Sequence, residues 1–272
     1  MRVGIGIQVG TIEGALYGLP ALLELFGEYD IKATWFLSLG PDRSVPWWQR
    51  MAGAPFISDT AREGLLRLAK EGHELGLAPF DAVRWHHEAA HADRAWTERQ
   101  VRPGLDIYRR MFRQDPCCFG ANGMQVNPFL FDIESDLELK FASDVLGQNA
   151  FLPRAQRVDG EVPQLPVTLP SVAEALHERG VNEDNVHEHI FDASQKLLVT
   201  GHVWRIDAEA DGIDFIDVVE KLLVMWRGSQ REPGPVSDLL APLDLAGLRR
   251  HQIGWQRDNE GGYVAAQSVA AD

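Results

Sequence analysis

Cysteine is nearly absent from this chain. Its 272 residues include 2 cysteines, and these are neighbours, Cys117 and Cys118. A vicinal pair meets disulfide geometry only under strain. The expectation is two reduced thiols with a structural role, in a cytoplasmic protein. No apolar run approaches the roughly 20 residues that cross a bilayer. The N-terminus, Met1-Arg2-Val3-Gly4-Ile5-Gly6-Ile7, is too short and too interrupted by glycine for a signal peptide. Basic residues are scarce: 26 Lys and Arg stand against 40 Asp and Glu, for a net charge of −14. That balance excludes a phosphate-tracking nucleic-acid surface and a polybasic membrane anchor. Repeats, low-complexity tracts and Ser/Gly linkers are missing too. Gly4-x-Gly6 lacks the rest of a dinucleotide pattern.

What is present is an alternation of strand and helix. Val3–Val9 reads as a buried strand, followed by a helix through Leu19, Leu22, Leu23 and Phe26 that ends at Gly27. Ile31–Leu37 and Glu74–Leu77 read as strands. Between them, Thr60-x-x-Glu63 predicts a capping box and a helix that stops at Gly72. Thr97–Phe112 reads as a helix that Pro103 kinks or delays. Cys117–Ala121, Leu165–Thr168 and Lys196–His202 read as strands. Pro128–Glu138, Glu183–Gln195 and Phe215–Trp226 read as helices. The stretch 147–163 reads as loop. Repeated βα units predict an α/β fold, a distorted (β/α) barrel of about seven strands forming a single domain over residues 1–272.

In a parallel barrel, chemistry sits at the C-terminal strand ends. On this reading those are Gln8 and Gly10, 78–82, 121–124 and 202–204. Their order and spacing resemble the polysaccharide deacetylase (NodB-homology) superfamily, within it the formamido-arabinose-phosphoundecaprenol deformylase branch. The resemblance runs through Gly6-Ile7-Gln8-Val9-Gly10-Thr11, the segment 33–42, Gly72-His73-Glu74-Leu75-Gly76-Leu77, Pro166-Val167-Thr168-Leu169-Pro170, Thr200-Gly201-His202, Ser237-Asp238-Leu239-Leu240 and Glu260-Gly261-Gly262-Tyr263. It covers almost the whole chain.

The resemblance implies metal-assisted amide hydrolysis: an Asp base, an Asp and two His ligands, and an Arg that orients the base. Carried over position by position, the base falls at Gln8, the ligand Asp at Gly10, the two His at Ala78 and Ala82, and the Arg at Met124. Glutamine cannot accept the proton, and a metal does not stay without ligands. Of the family's residue types, Asp81 and His202 are retained. The function expected is therefore a catalytically degenerate deacetylase-like protein, needing no cofactor. It binds a sugar or lipid-linked sugar, or partners an active deacetylase, around Gln8, Gly10, Ala78, Ala82, Met124 and Trp204. The alternative is a metal-independent hydrolase of a C–N bond acting through His202 and Asp81. At His202 a ligand-facing acid/base stands against a satisfied structural histidine. At Asp81 a pocket carboxylate stands against a helix N-cap.

Other motifs are weaker. His87-Glu88-Ala89-Ala90-His91 spells H-E-x-x-H, a metal motif on a helix, against the plainer reading of a solvated surface helix. His187 and His189, two apart, do not share a helix face. His73 reads as support for a turn. Trp47 and Trp48, beside Pro46, read as a lid, as a peripheral membrane contact, or as cover for the core.

Overall fold

The structure is a computed structural model that describes residues 1–46, 51, 53–257 and 262–270. Trp47 and Trp48, and Glu260 and Gly261 of the tail motif, lie outside the described residues. The first half of the chain alternates as predicted: β1 (Arg2–Val9), α1 (Leu19–Glu28), β2 (Thr34–Leu37), α2 (Arg62–Lys70), β3 (Glu74–Leu77), α3 (Ala82–Glu88), α4 (Arg94–Phe112), β4 (Cys118–Phe119), α5 (Pro128–Asp136) and β5 (Phe141–Ala142). The second half holds β6 (Leu152–Ala155), β7 (Val158–Asp159), α6 (Val172–Leu176), α7 (Val186–Ala193), β8 (His202–Asp207), α8 (Ile216–Gly228), β9 (Glu232–Gly234), β10 (Arg250–Arg257) and β11 (Tyr263–Ala270).

The strands β5-β4-β3-β2-β1-β8 lie side by side, all parallel. The gap between the two outer strands is filled by an irregular seventh. Leu165 N–H donates to Ala142 O (2.8 Å) and Thr168 N–H to Val203 O (3.0 Å). A sheet covered on both faces has buried strands, and Val3 to Val9 are all buried. Alternate residues face inward. Phe36, Ala78, Cys118, Phe141 and Val203 belong to the inner cluster, while Leu22, Phe26, Trp35 and Leu65 pack between sheet and helices. Gly6 is inward-facing for a steric reason. A Cβ there would stand 3.0 Å from the Phe36 ring and 3.1 Å from Arg205 Nε.

Three expectations are corrected. The predicted capping box does not form, because Thr60 Oγ1 donates backward to Phe56 O (2.9 Å). Residues 147–163 are not all loop: β6 and β7 form a hairpin, joined by β10 and β11 in a second sheet. The third correction matters most. The apolar run from Lys196 is loop, with Leu197 and Val199 84% and 88% exposed. The strand begins, rather than ends, at His202. Pro103 is accommodated within α4, whose start is set by the Asp93 carboxylate accepting from Trp96 N–H (2.8 Å).

Candidate functional site

Register decides which residues reach the C-terminal end of the barrel strands. His202 lies opposite Val3, and Asp207 lies opposite Gln8. The C-terminal ends of β1 and β8, the start of α3 and the turn 122–124 surround a cavity of about 520 Å³. Gln8, Gly10, Ala82 and Met124 line it, together with Thr11, His86, His87, Asn122, Arg205, Asp207, Asp211 and Phe215. A larger depression of about 710 Å³ lies at the other end, around His73, Glu74, Cys117 and Lys140. The smaller cavity is the candidate, because the fold presents side chains for chemistry at the strand C-termini.

The other expected site residues stand elsewhere. Ala78 is buried in the barrel interior. Trp204 is buried, its ring edge-on to Trp226 at 5.3 Å, and its Nε1 donates to Pro170 O (3.1 Å). His202 starts β8 at the opposite end, some 16 Å of strand from Asp207 at about 3.3 Å per residue. Its Nε2 donates to Lys196 O (2.8 Å), and its Nδ1 then accepts from the Thr168 hydroxyl (3.0 Å). Burial lowers its pKa. It is a neutral, satisfied structural histidine, and the expectation that it opens into the pocket is corrected. Asp81 is 2% exposed and does not line the cavity. Its carboxylate caps α3 by accepting from Arg84 N–H (3.0 Å), and Arg43 pairs with its other oxygen (2.5 Å).

The H-E-x-x-H motif does not form a metal face either. α3 ends at Glu88 and a tighter turn, Ala89–His91, follows. His87 lines the cavity, whereas the His91 ring packs edge-on to Tyr263 at 5.0 Å. Glu88 is taken by Arg84 (2.9 Å) and Trp96 Nε1 (2.8 Å). Those hydrogen bonds hold its pKa below the usual carboxylate range.

Arg205, absent from the expected set, dominates the cavity floor. Its Nη1 donates to Gln8 Oε1 (2.8 Å), its Nη2 donates to Ser143 O, and the guanidinium lies 4.2 Å from the centre of the Phe36 ring. Burial lowers its pKa to about 10, so it stays charged. Behind it, Asp144 accepts from Ala121 N–H (2.5 Å) and from Gln164 Nε2 (3.3 Å). Gln164 Nε2 also faces Glu134 Oε2 (3.2 Å). Burial, then the charge of Asp144, raises Glu134 well above the normal range, so Glu134 holds the proton of this pair. Burial raises Asp144 too, while hydrogen bonds with Glu134 and from Ala121 N–H and the charge of Arg205 lower it.

Two carboxyls complete the lining, Asp207 on the strand of Arg205 and in register with Gln8. Asp207 Oδ1 accepts from the N–H groups of Glu209 (2.8 Å) and Ala210 (3.2 Å), while Asp211 Oδ2 accepts from Asp207 N–H (2.6 Å). Burial raises both pKa values, that of Asp211 to about 7. Asp207 occupies the strand-end position at which the resemblance implies a histidine.

The metal that the resemblance implies does not fit these donors. Gln8, Gly10, Ala78 and Ala82 supply no anionic or imidazole ligand. Among the described residues no three His, Cys, Asp or Glu side chains are grouped to hold a metal ion.

Comparisons with known proteins agree on the fold. A putative polysaccharide deacetylase from Mycobacterium smegmatis superposes with a TM-score of 0.67 at 13% identity, covering 92% of this chain and 92% of that chain. A CE4 family pseudoenzyme from Bacillus anthracis gives a TM-score of 0.60 at 13% identity, covering 92% of this chain and 69% of the other. This chain has the polysaccharide-deacetylase, NodB-homology fold. In sequence it is similar to the probable 4-deoxy-4-formamido-L-arabinose-phosphoundecaprenol deformylase ArnD of Shewanella sediminis, with 24% identity over 298 aligned positions, spanning 98% of this chain and 95% of that protein. No protein-family model matches the chain. No helix among the described residues is long and apolar enough to cross a membrane.

Proposed function

We propose that this chain is a catalytically degenerate deacetylase-like protein of the cytoplasm that binds a sugar or lipid-linked sugar in the cavity at Gln8. The observation that carries this reading is the Gln8–Arg205 pair. The base position holds an amide whose oxygen already accepts from a buried guanidinium (2.8 Å), above a cavity of about 520 Å³. That size lies within the range of roughly 300–1,000 Å³ usual for small-molecule sites. Phe215 and Met124 offer apolar faces, and Asn122, Asp207 and Asp211 offer acceptors for hydroxyl groups. The pseudoenzyme among the similar structures supports the reading as a precedent on this fold. The test pairs metal analysis of purified protein with hydrolysis assays on N-formyl and N-acetyl aminosugars and with calorimetric binding of the same compounds. Binding without turnover is expected. Metal-dependent turnover would overturn the proposal. Partnership with an active deacetylase is the other form of the same reading, tested by co-purification with an intact homologue.

A second reading, a metal-independent hydrolase of a C–N bond, rests on a specific observation. Two cavity carboxyls are unequally placed. Asp207 is held by two N–H groups, whereas burial keeps Asp211 protonated to about pH 7. Such a pair separates base from acid. His202 has no part in this version. Turnover abolished by Asp207→Asn and by Asp211→Asn, and retained in a chelator, is what it requires.

A further inference from the structure

Buried polar side-chain atoms nearly always find a partner. Six in the described residues have none within the protein, and three of these surround one guanidinium: Gln8 Nε2, Arg205 Nε and Ser143 Oγ. Gln8 is 6% exposed, Arg205 8% and Ser143 0%. Gln8 and Arg205 both line the candidate cavity, so whatever reaches them comes through it.

The chemistry of the three atoms is one-sided. Amide and guanidinium nitrogens only donate, and a serine hydroxyl can donate. The orientation of the Gln8 amide follows from its neighbour: Arg205 Nη1 has no lone pair, so Oε1 must face it and Nε2 must point away. The cluster therefore presents donors beside a fixed positive charge and asks for an acceptor. The other acceptors nearby are already engaged. Ser143 O takes Arg205 Nη2, and Asp144 takes Ala121 N–H and Gln164. Gly6 packs against Arg205 Nε, where a Cβ would stand 3.1 Å away, so its lack of a side chain is what lets the guanidinium sit beneath Gln8.

We propose that Gln8 and Arg205 form a subsite for a carboxylate carried by the bound ligand, so that the cavity selects an acidic sugar of the uronic acid class over its neutral counterpart. This deepens the ligand-binding reading and rests on it. A carboxylate brings two oxygens with several lone pairs, matching adjacent N–H donors, and its hydrogen bonds here are charge-assisted. Asp207, two residues along β8 from Arg205 and in register with Gln8, and Asp211 are left to accept from hydroxyls of the same ligand.

The test measures binding of D-glucuronate, D-glucose, sodium acetate and sodium chloride at constant ionic strength, by calorimetry and thermal shift. Three proteins are compared: the full chain, Arg205→Met and Gln8→Glu. The second variant guards against a folding defect in the first, because a carboxylate at position 8 pairs with Arg205 while removing the donor. Glucuronate is expected to bind about tenfold or more tightly than glucose. Acetate should compete with it, and the preference should vanish in both variants while Gln8→Glu melts no lower than the parent. Equal binding of glucuronate and glucose overturns the carboxylate subsite but leaves sugar binding standing. A preference that survives in Gln8→Glu, a stabilisation produced equally by chloride, or no binding of glucuronate also overturns it. Metal-dependent deacylation of a neutral aminosugar would instead strike the parent reading.

Discussion

Arg205 Nη1 reaches across the barrel floor to Gln8 Oε1 at 2.8 Å, joining the last strand of the barrel to the first. The bond puts an amide under a guanidinium where the resemblance implies a carboxylate base. It also ties the cavity to the buried Asp144–Glu134 pair.

Loss of the cation should be costly. Arg205→Met leaves the Asp144 charge buried without a counter-charge, a situation that typically costs about 3–5 kcal/mol. Urea denaturation at pH 7 checks this. A change within error of zero would mean that Asp144 is balanced otherwise.

Stability should fall as pH rises toward neutrality. Burial raises Asp211 to about 7, against roughly 3.9 for an aspartate in an unfolded chain. Between these values the folded protein keeps a proton that the unfolded chain has released. The stabilisation is complete below about pH 4 and is lost by pH 7, on the order of 3–4 kcal/mol. Asp211→Asn should remove this slope. Denaturation midpoints at pH 5 and pH 7.5 for both proteins provide the check, because the other buried carboxyls are common to both.

His202 should matter for stability and not for ligands. His202→Ala removes hydrogen bonds to Lys196 O and Thr168 at the far end of the barrel, with an expected loss of about 1–3 kcal/mol. Affinity for any cavity ligand should stay unchanged. A large drop in affinity without unfolding would contradict the placement of His202.

A metal site should be installable. A Cβ on Gly10 would stand 3.4 Å from Ala82 Cβ and 3.3 Å from Asn122 Nδ2, so side chains at 10 and 82 would be neighbours. Gly10→Asp with Ala82→His should retain more zinc after dialysis than the parent does. His87→Ala should change metal content in neither protein. Zinc in the parent that is lost on His87→Ala would revive the H-E-x-x-H reading.

The barrel was legible because its strands are short apolar runs closed by helices, and β1, β2 and β3 fall where periodicity puts them. The floor was not. The run Leu197-Leu198-Val199 has the hydrophobicity of a strand but sits on the surface, and the strand behind it carries Arg205 and Asp207, whose polarity argues against burial. Tertiary pairing overrode pattern there: Val3 to Gln8 bond with 202 to 207, and the five-residue displacement carried the site assignment from Asp207 to His202. Gly201, at φ +92°, marks the true start, since a left-handed backbone interrupts a strand. At Asp81 the two readings differ only in where the carboxylate points, and Arg84 N–H settles it as a cap. Gln8 and Gly10 were readable because β1 is framed by its own sequence.

One consequence of the Gln8–Arg205 contact concerns reversal. An aspartate returned to position 8 would arrive within reach of a guanidinium already in place. It would form half of an ion pair, the relation between base and arginine that the resemblance implies, with the arginine supplied from β8 instead of from position 124. Position 8 is therefore not where reversal is blocked. An acid there has no metal to work with while Gly10 and Ala82 supply no ligand, so the ligands have to return before the base has any use.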